Sequence, residues 1–166
     1  MHQMGTRSMI AIQNPYSKDV RAVYCHWDGY LEHNGSILHK HYSASPKVNN
    51  LIALGDLSSL RPEIGIQHAF SSLDVPKAEQ EAYDKEHGNS CTFYTRDRGE
   101  DAPFKVFPTL KAAESYFEGS WCEYLYVFKY SKADDYQSGE WHYKTVGGRW
   151  KKLAPALKRC DQKDLA

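Results

Sequence analysis

The chain has 166 residues, 21 of them basic and 21 acidic. That length is one ordinary domain, able to bury about two-thirds of its unfolded surface without metals or disulfides, and the balanced charge excludes a whole-protein field toward nucleic acid or an anionic membrane. No apolar run approaches the roughly 20 residues of a membrane span, and no basic region precedes an apolar core at the N-terminus, so a soluble, cytoplasmic chain with no membrane partner is expected.

The first three residues precede a second methionine, Met4. If translation starts there, methionine removal leaves Gly5 at the N-terminus, and residues 1–4 are expected to be an extension. A strand is predicted from Ser8 to Ile12, ended by Asn14-Pro15, and a second from Val20 to His26, the two forming a hairpin. Alternation puts Tyr24 and His26 on one face of the second strand and Cys25 on the other. Asp28-Gly29 breaks the strand. Tyr30 to Tyr42 reads as partly helical, with Asn34 as an alternative cap and Gly35 weakening the middle by about 1 kcal/mol relative to Ala.

Ser45-Pro46 marks a helix start, and 46–54 is predicted helical, closed by Gly55-Asp56. Leu57 to Leu60 is read as a turn and Glu63 to Val75 as loop. Lys77 to His87 gives a polar surface helix stopped by Gly88. Cys91 to Thr95 reads as a strand, Arg96 to Asp101 as a charged turn and Lys105 to Phe107 as a short strand. Thr109 caps a helix through Phe117 that buries Leu110, Ala113 and Phe117 and ends at Gly119. The clearest strand is Trp121 to Tyr130, apolar on both faces and paired with Glu140 to Val146 across the loop from Ser131 to Gly139. Trp150, Leu153 and Leu157 suggest a short docking helix interrupted by Pro155. The expected architecture is α+β: a single domain over 5–148, an antiparallel sheet of about five strands with three to four helices packed on it, and a basic C-terminal tail over 149–166.

Aromatic residues make up 13% of the chain and twelve are tyrosines, which favour half-buried sheet faces and binding surfaces. Four cysteines, Cys25, Cys91, Cys122 and Cys160, lack CxxC spacing, so neither a zinc knuckle nor a disulfide framework is indicated. The densest chemistry lies in Tyr24-Cys25-His26-Trp27-Asp28-Gly29-Tyr30. A Cys–His nucleophilic pair is disfavoured there, because alternation points Cys25 away from His26. His26 with Asp28 suits an oriented general base; the plainer alternative makes Asp28 a helix cap, Trp27 and Tyr30 core, and His26 a satisfied imidazole.

His39 and His41 diverge by about 200° on a helix, so with His33 they do not converge on a metal. Thr6, Arg7 and Ser8 place two hydroxyls and a guanidinium at a strand end, where arginine takes a phosphate or carboxylate bidentately or pairs with Asp28 or Asp56. Arg149, Lys151, Lys152, Lys158 and Arg159, interleaved with Trp150, are the one stretch suited to nucleic acid. The candidate binding residues are therefore Thr6, Arg7, Ser8, Tyr24, His26, Trp27, Asp28, Tyr30 and Asp56, with no catalytic residue, metal or cofactor assigned.

Gly5-Thr6-Arg7-Ser8, the stretch from Tyr24 to Tyr30, and Leu54-Gly55-Asp56-Leu57-Ser58-Ser59-Leu60 together resemble a group of small uncharacterised proteins of bacteriophage and related bacterial genomes. The resemblance covers roughly the first 60 residues. It implies a phage-type accessory gene for host takeover or defence evasion, acting on a host protein or a nucleotide signal, and carries over no catalytic residue. Two functions are expected: a non-enzymatic phage-type protein that binds a host factor, or, from the residues themselves, a small enzyme or nucleotide binder with a pocket formed by Arg7, His26 and Asp28. The second requires those side chains, with Asp56, to share one cleft.

Overall fold

In the computed structural model the described residues are 5–131 and 137–165, with side chains described through 161. The extension expected over residues 1–4 lies outside them, as does most of the loop between Ser131 and Gly139. Strands β1 (Ser8–Gln13) and β2 (Val20–Cys25) form the expected antiparallel hairpin, Ile10 opposite Val23. Asn14 closes their loop, its Oδ1 accepting from the amides of Tyr16 and Ser17.

On the other edge of β1 lies β6 (Tyr124–Tyr130), parallel, with Ile10 beside Tyr126. β7 (Gly139–Thr145) follows antiparallel, then the two-residue β8 (Lys151–Lys152). The outer edge of β2 forks. β5 (Lys105–Phe107) pairs antiparallel with Val20 to Ala22, while β3 (Leu57–Ser59) joins parallel at Cys25 and carries β4 (Thr92–Phe93) beyond it.

The expected antiparallel sheet of about five strands with three to four helices is therefore corrected. Among the described residues the fold is α+β with a mixed sheet of eight strands and six α-helices. The parallel contact of β1 with β6 joins segments more than a hundred residues apart, which no local pattern encodes, and two-residue strands are too short to alternate.

Helices cover both faces. On one, α1 (Ser36–His41), entered through a π-turn at Leu31–Gly35, α2 (Ser45–Ala53) and α6 (Leu153–Leu165) bury Leu38, Leu51 and Leu153 against Ile10, Val23, Tyr126 and Phe128. On the other, α5 (Leu110–Glu118) lays Ala113 and Phe117 over Met9, Ala11, Ala22, Leu125 and Val127. Each fully buried Leu, Ile or Phe contributes about 2 kcal/mol. β1 is apolar on both sides for this reason, as a central strand between two layers must be.

Thr109 caps α5, its Oγ1 accepting from the amide of Ala112 at 3.0 Å. The polar helix α3 (Gln80–His87) buries no residue fully and docks through Tyr83 and His87, whose rings lie 5.9 and 4.9 Å from that of His68. The first half of the charged turn expected at Arg96 to Asp101 belongs to α4 (Tyr94–Arg98), which shortens the strand before it, and the turn expected at Leu57 is β3. The helical path after the first hairpin begins beyond Tyr30 rather than at Asn34. The stretch read as a basic tail is β8 and α6, with Leu153, Ala156 and Leu157 buried in the main core. Pro155 is the third residue of α6, where its missing N–H has no intrahelical acceptor, so it does not interrupt the helix. Among the described residues no helix is long and apolar enough to cross a membrane.

Candidate ligand-binding site

The fork in the sheet creates the principal cleft. Between the points where β5 and β3 leave β2, the amide of Tyr24 has no strand partner, and Asp56 supplies one: its Oδ1 accepts that N–H at 2.9 Å. Asp56 is fixed on both sides, its own amide donating to the carbonyl of Ala102 and its carbonyl accepting from Tyr94. The preceding Gly55 sits at φ +89 with the Ala102 carbonyl where a Cβ would be. That left-handed position, which L side chains avoid, delivers the carboxylate to the fork.

Over this fork opens a cavity of about 770 Å³, within the 300–1,000 Å³ typical of small-ligand sites. Its floor is Met9 and Ala22, with the strand backbone at Val23 beneath; Arg7, Tyr24, Asp56 and Lys105 bring polar groups; Tyr116 from α5 and Trp121 from the turn after it stand at the mouth. Trp121 is 87% exposed and Tyr116 45%. The Lys105 ammonium lies 5.7 Å from the centre of the Tyr116 ring.

The cleft is electrostatically uneven. Among the described residues, Arg7 has no carboxylate within ion-pairing distance. Burial raises the Asp56 carboxyl above its ordinary range, opposed by the Tyr24 amide and by Lys105. Burial pushes the Tyr24 phenol up to about 12, opposed by the guanidinium of Arg7 beside it. The Tyr24 hydroxyl reaches Nδ1 of His26 at 2.6 Å, and burial together with the Arg7 charge lowers the His26 imidazole below its ordinary value.

The remaining candidates sit elsewhere. β2 ends at Cys25 and Asp28 takes φ +57, so His26 and Asp28 do not share a strand face. Asp28 turns to His33, Oδ2 to Nε2 at 3.9 Å, and the helix cap position belongs to Tyr30. The general-base pair of His26 and Asp28 is not formed. Thr6 acts through its carbonyl, which accepts from the amide of Gly29 at 2.7 Å. Ser8 is fully buried on the opposite sheet face, in a network centred on Asn34, whose Nδ2 reaches Ser8 Oγ, Cys25 Sγ and the carbonyl of Trp27 at 3.4, 3.4 and 3.2 Å. Trp27 packs edge-on to His26 with ring centres 4.6 Å apart, and Tyr30 neighbours His33 at 6.1 Å.

The sequence reading missed Lys105, Tyr116 and Trp121. Trp121 reads as the first residue of a strand, but Gly119-Ser120 precedes it, and that turn swings the indole outward instead. A second polar cluster was missed altogether. The fully buried Asp97 accepts from the amides of His68 and Phe93 at 3.1 and 2.8 Å and from Arg96, and His68 bonds the carbonyls of Ala69 and Cys91. These bonds tie the long loop before α3 to β4, and their partners are satisfied within the protein, so the cluster is a fastener rather than a site.

Three thiols are unsuited to nucleophilic work. Burial pushes Cys25 up to about 12 and raises Cys91 and Cys122. Among the described residues no group of three or more His, Cys, Asp or Glu side chains is placed to hold a metal ion. No protein family, curated protein or solved structure matches this chain.

Proposed function

We propose that this chain is a phage-type accessory protein that acts by binding, in the cytoplasm of the bacterial host, and that the cleft over the fork is where it binds a small anionic ligand. One observation carries this reading: Arg7, without a carboxylate partner among the described residues, lines a cavity of about 770 Å³ whose mouth holds an indole 87% exposed. An indole left so open gains most when a flat ring covers it, and a guanidinium that hydrogen-bonds Tyr24 but meets no carboxylate among the described residues is suited to a phosphate or carboxylate. The pocket in this reading is made by Arg7, Tyr24 and Asp56, with His26 behind Tyr24. Asp28, one of the three residues of the expected pocket, is not part of it.

A second reading is docking of a host protein for takeover or defence evasion. Arginine, tyrosine and tryptophan are the residue types that dominate protein interfaces, and the cleft brings Arg7, Tyr116 and the exposed Trp121 together. Nucleic acid is a weaker match, since Lys152 of the basic stretch pairs with Glu140 at 3.5 Å.

Native mass spectrometry of the protein from host lysate, set against a denatured run, tests both readings. A retained small mass lost in Arg7→Gln/Trp121→Ala supports the first, and a co-purified protein lost in the same variant supports the second. A retained mass or partner indifferent to that variant removes the cleft from the function.

A further inference from the structure

Resting on the small-ligand reading of this cleft, we infer that its ligand is a nucleoside monophosphate with guanine as the preferred base: Arg7 takes the phosphate, the Asp56 carboxylate takes the base edge, and Trp121 covers the ring.

Asp56 is the acidic side chain in the lining. Its Oδ1 holds the Tyr24 amide, and Oδ2 has no hydrogen-bond partner among the described residues. A carboxylate only accepts, through two oxygens held in one plane, so it selects a base edge that offers two adjacent donors. Guanine does this with N1–H and the 2-amino group. Adenine and cytosine offer an amino group beside a bare ring nitrogen, whose lone pair would face an oxygen lone pair, and uracil sets a single N–H between two carbonyls. The apolar floor of Met9 and Ala22 and the open indole suit the faces of a flat ring, and stacking of a base on an aromatic side chain is worth about 1–3 kcal/mol. Arg7 and Lys105 together outweigh Asp56 by one positive charge, which favours a ligand bearing a phosphate over a neutral nucleoside.

The test is calorimetric titration of the full chain with GMP, AMP, CMP, UMP, guanosine and inorganic phosphate. GMP is expected to bind tightest, by about tenfold or more over AMP, since a mismatched edge leaves Oδ2 of the half-buried carboxylate without a donor. Arg7→Gln is expected to weaken GMP about tenfold and leave guanosine unchanged. Trp121→Ala, at an exposed position that the fold does not need, is expected to weaken GMP and guanosine alike and leave inorganic phosphate unchanged. Asp56→Asn is expected to erase the difference between GMP and AMP while retaining an acceptor for Tyr24.

The inference is overturned if GMP binds no tighter than inorganic phosphate, if AMP equals GMP in the unaltered chain, or if Arg7→Gln leaves GMP affinity intact. If no nucleotide binds at millimolar concentration, yet the lysate ligand is still lost in Arg7→Gln/Trp121→Ala, the guanine assignment falls and the binding function stands.

Discussion

The hydroxyl of Tyr24 lies 2.6 Å from Nδ1 of His26, and the direction of that hydrogen bond follows from the two acidities. The phenol is pushed up to about 12 and keeps its proton at neutral pH. His26, held below 6.5 by burial and by Arg7, is neutral there. Tyr24 therefore donates to Nδ1, and the imidazole proton sits on Nε2. Because the folded value lies below the unfolded one, the contribution of neutral His26 to stability is present above pH 6.5 and is lost as pH falls through the depressed value. An NMR titration of the His26 ring protons is expected to give a midpoint below 6.5, moving upward in Arg7→Gln. A wild-type midpoint at or above 6.5 contradicts the arrangement.

At the alkaline end the sign reverses. Burial raises Tyr24 to about 12 and also raises Tyr94, Tyr124, Tyr126 and Tyr143. Each of these holds its proton in the folded chain at a pH where the unfolded chain, with values near 10, has released it. Their contribution is complete below pH 10 and is lost as pH rises through the raised values. Urea midpoints are expected to fall steadily above pH 10, with the tyrosinate signal of these five residues appearing together with unfolding rather than before it. Free ionisation of these five tyrosines in the folded chain near pH 10 would refute this.

The thiols separate by burial. Cys25, Cys91 and Cys122 are buried, while Cys160 on α6 is partly exposed. A thiolate is the reactive form, and desolvation disfavours it at the three buried sites. An aromatic disulfide reagent at neutral pH is expected to label Cys160 first, with the other three reacting only on denaturation. Cys122 also lines the cleft, so its rapid labelling would mean that the cleft opens further in solution.

Much of the scaffold is legible in the sequence because its signals are local. Ser45-Pro46 and Thr109 mark the starts of α2 and α5, and the period-two patterns of β1, β2, β6 and β7 follow from which face each residue meets. The parallel contact that sets Ile10 beside Tyr126 is a tertiary choice with no local trace. The same holds for the cleft. Arg7, Tyr24 and Asp56 stand out as residue types near strand ends, but Lys105, Tyr116 and Trp121 reach them only because β2 forks. Asp97 sits in the run Arg96-Asp97-Arg98, which reads as solvated, and its complete burial depends on amides contributed by the His68 loop and β4.

Gly55 connects the fold to the site. Its φ of +89 and the Ala102 carbonyl in the Cβ position make Gly55→Ala strained in both backbone and contact, at a cost of about 1–3 kcal/mol. The displacement falls first on Asp56 and on the bond it makes to Tyr24. Denaturant unfolding is expected to show that loss, together with weaker ligand retention in native mass spectra. Gly99→Ala gives the contrast: φ is +75 there, but nothing lies within 4 Å of the added methyl, so it should cost less and leave the cleft untouched. Equal losses of ligand from both variants would break the proposed link between Gly55 and the site.

The C-terminal segment offers the sharpest choice between a solvated basic tail and a structural helix. Leu153 is fully buried and Leu157 and Ala156 nearly so, in contact with the core shared by Ile10 and Tyr126, whereas Lys158 on the same helix is exposed. Truncating a buried leucine removes its transfer energy and leaves a cavity, so Leu153→Ala is expected to cost about 3 kcal/mol. Lys158→Ala changes a solvated side chain and should stay within about 0.5 kcal/mol. Chemical denaturation of the two variants decides the matter. If the segment were a tail, both would unfold with the wild type and Lys158→Ala would instead weaken binding to anions. A large loss for Leu153→Ala alone makes α6 the layer that closes the core over β1 and β6, on the sheet face opposite the cleft.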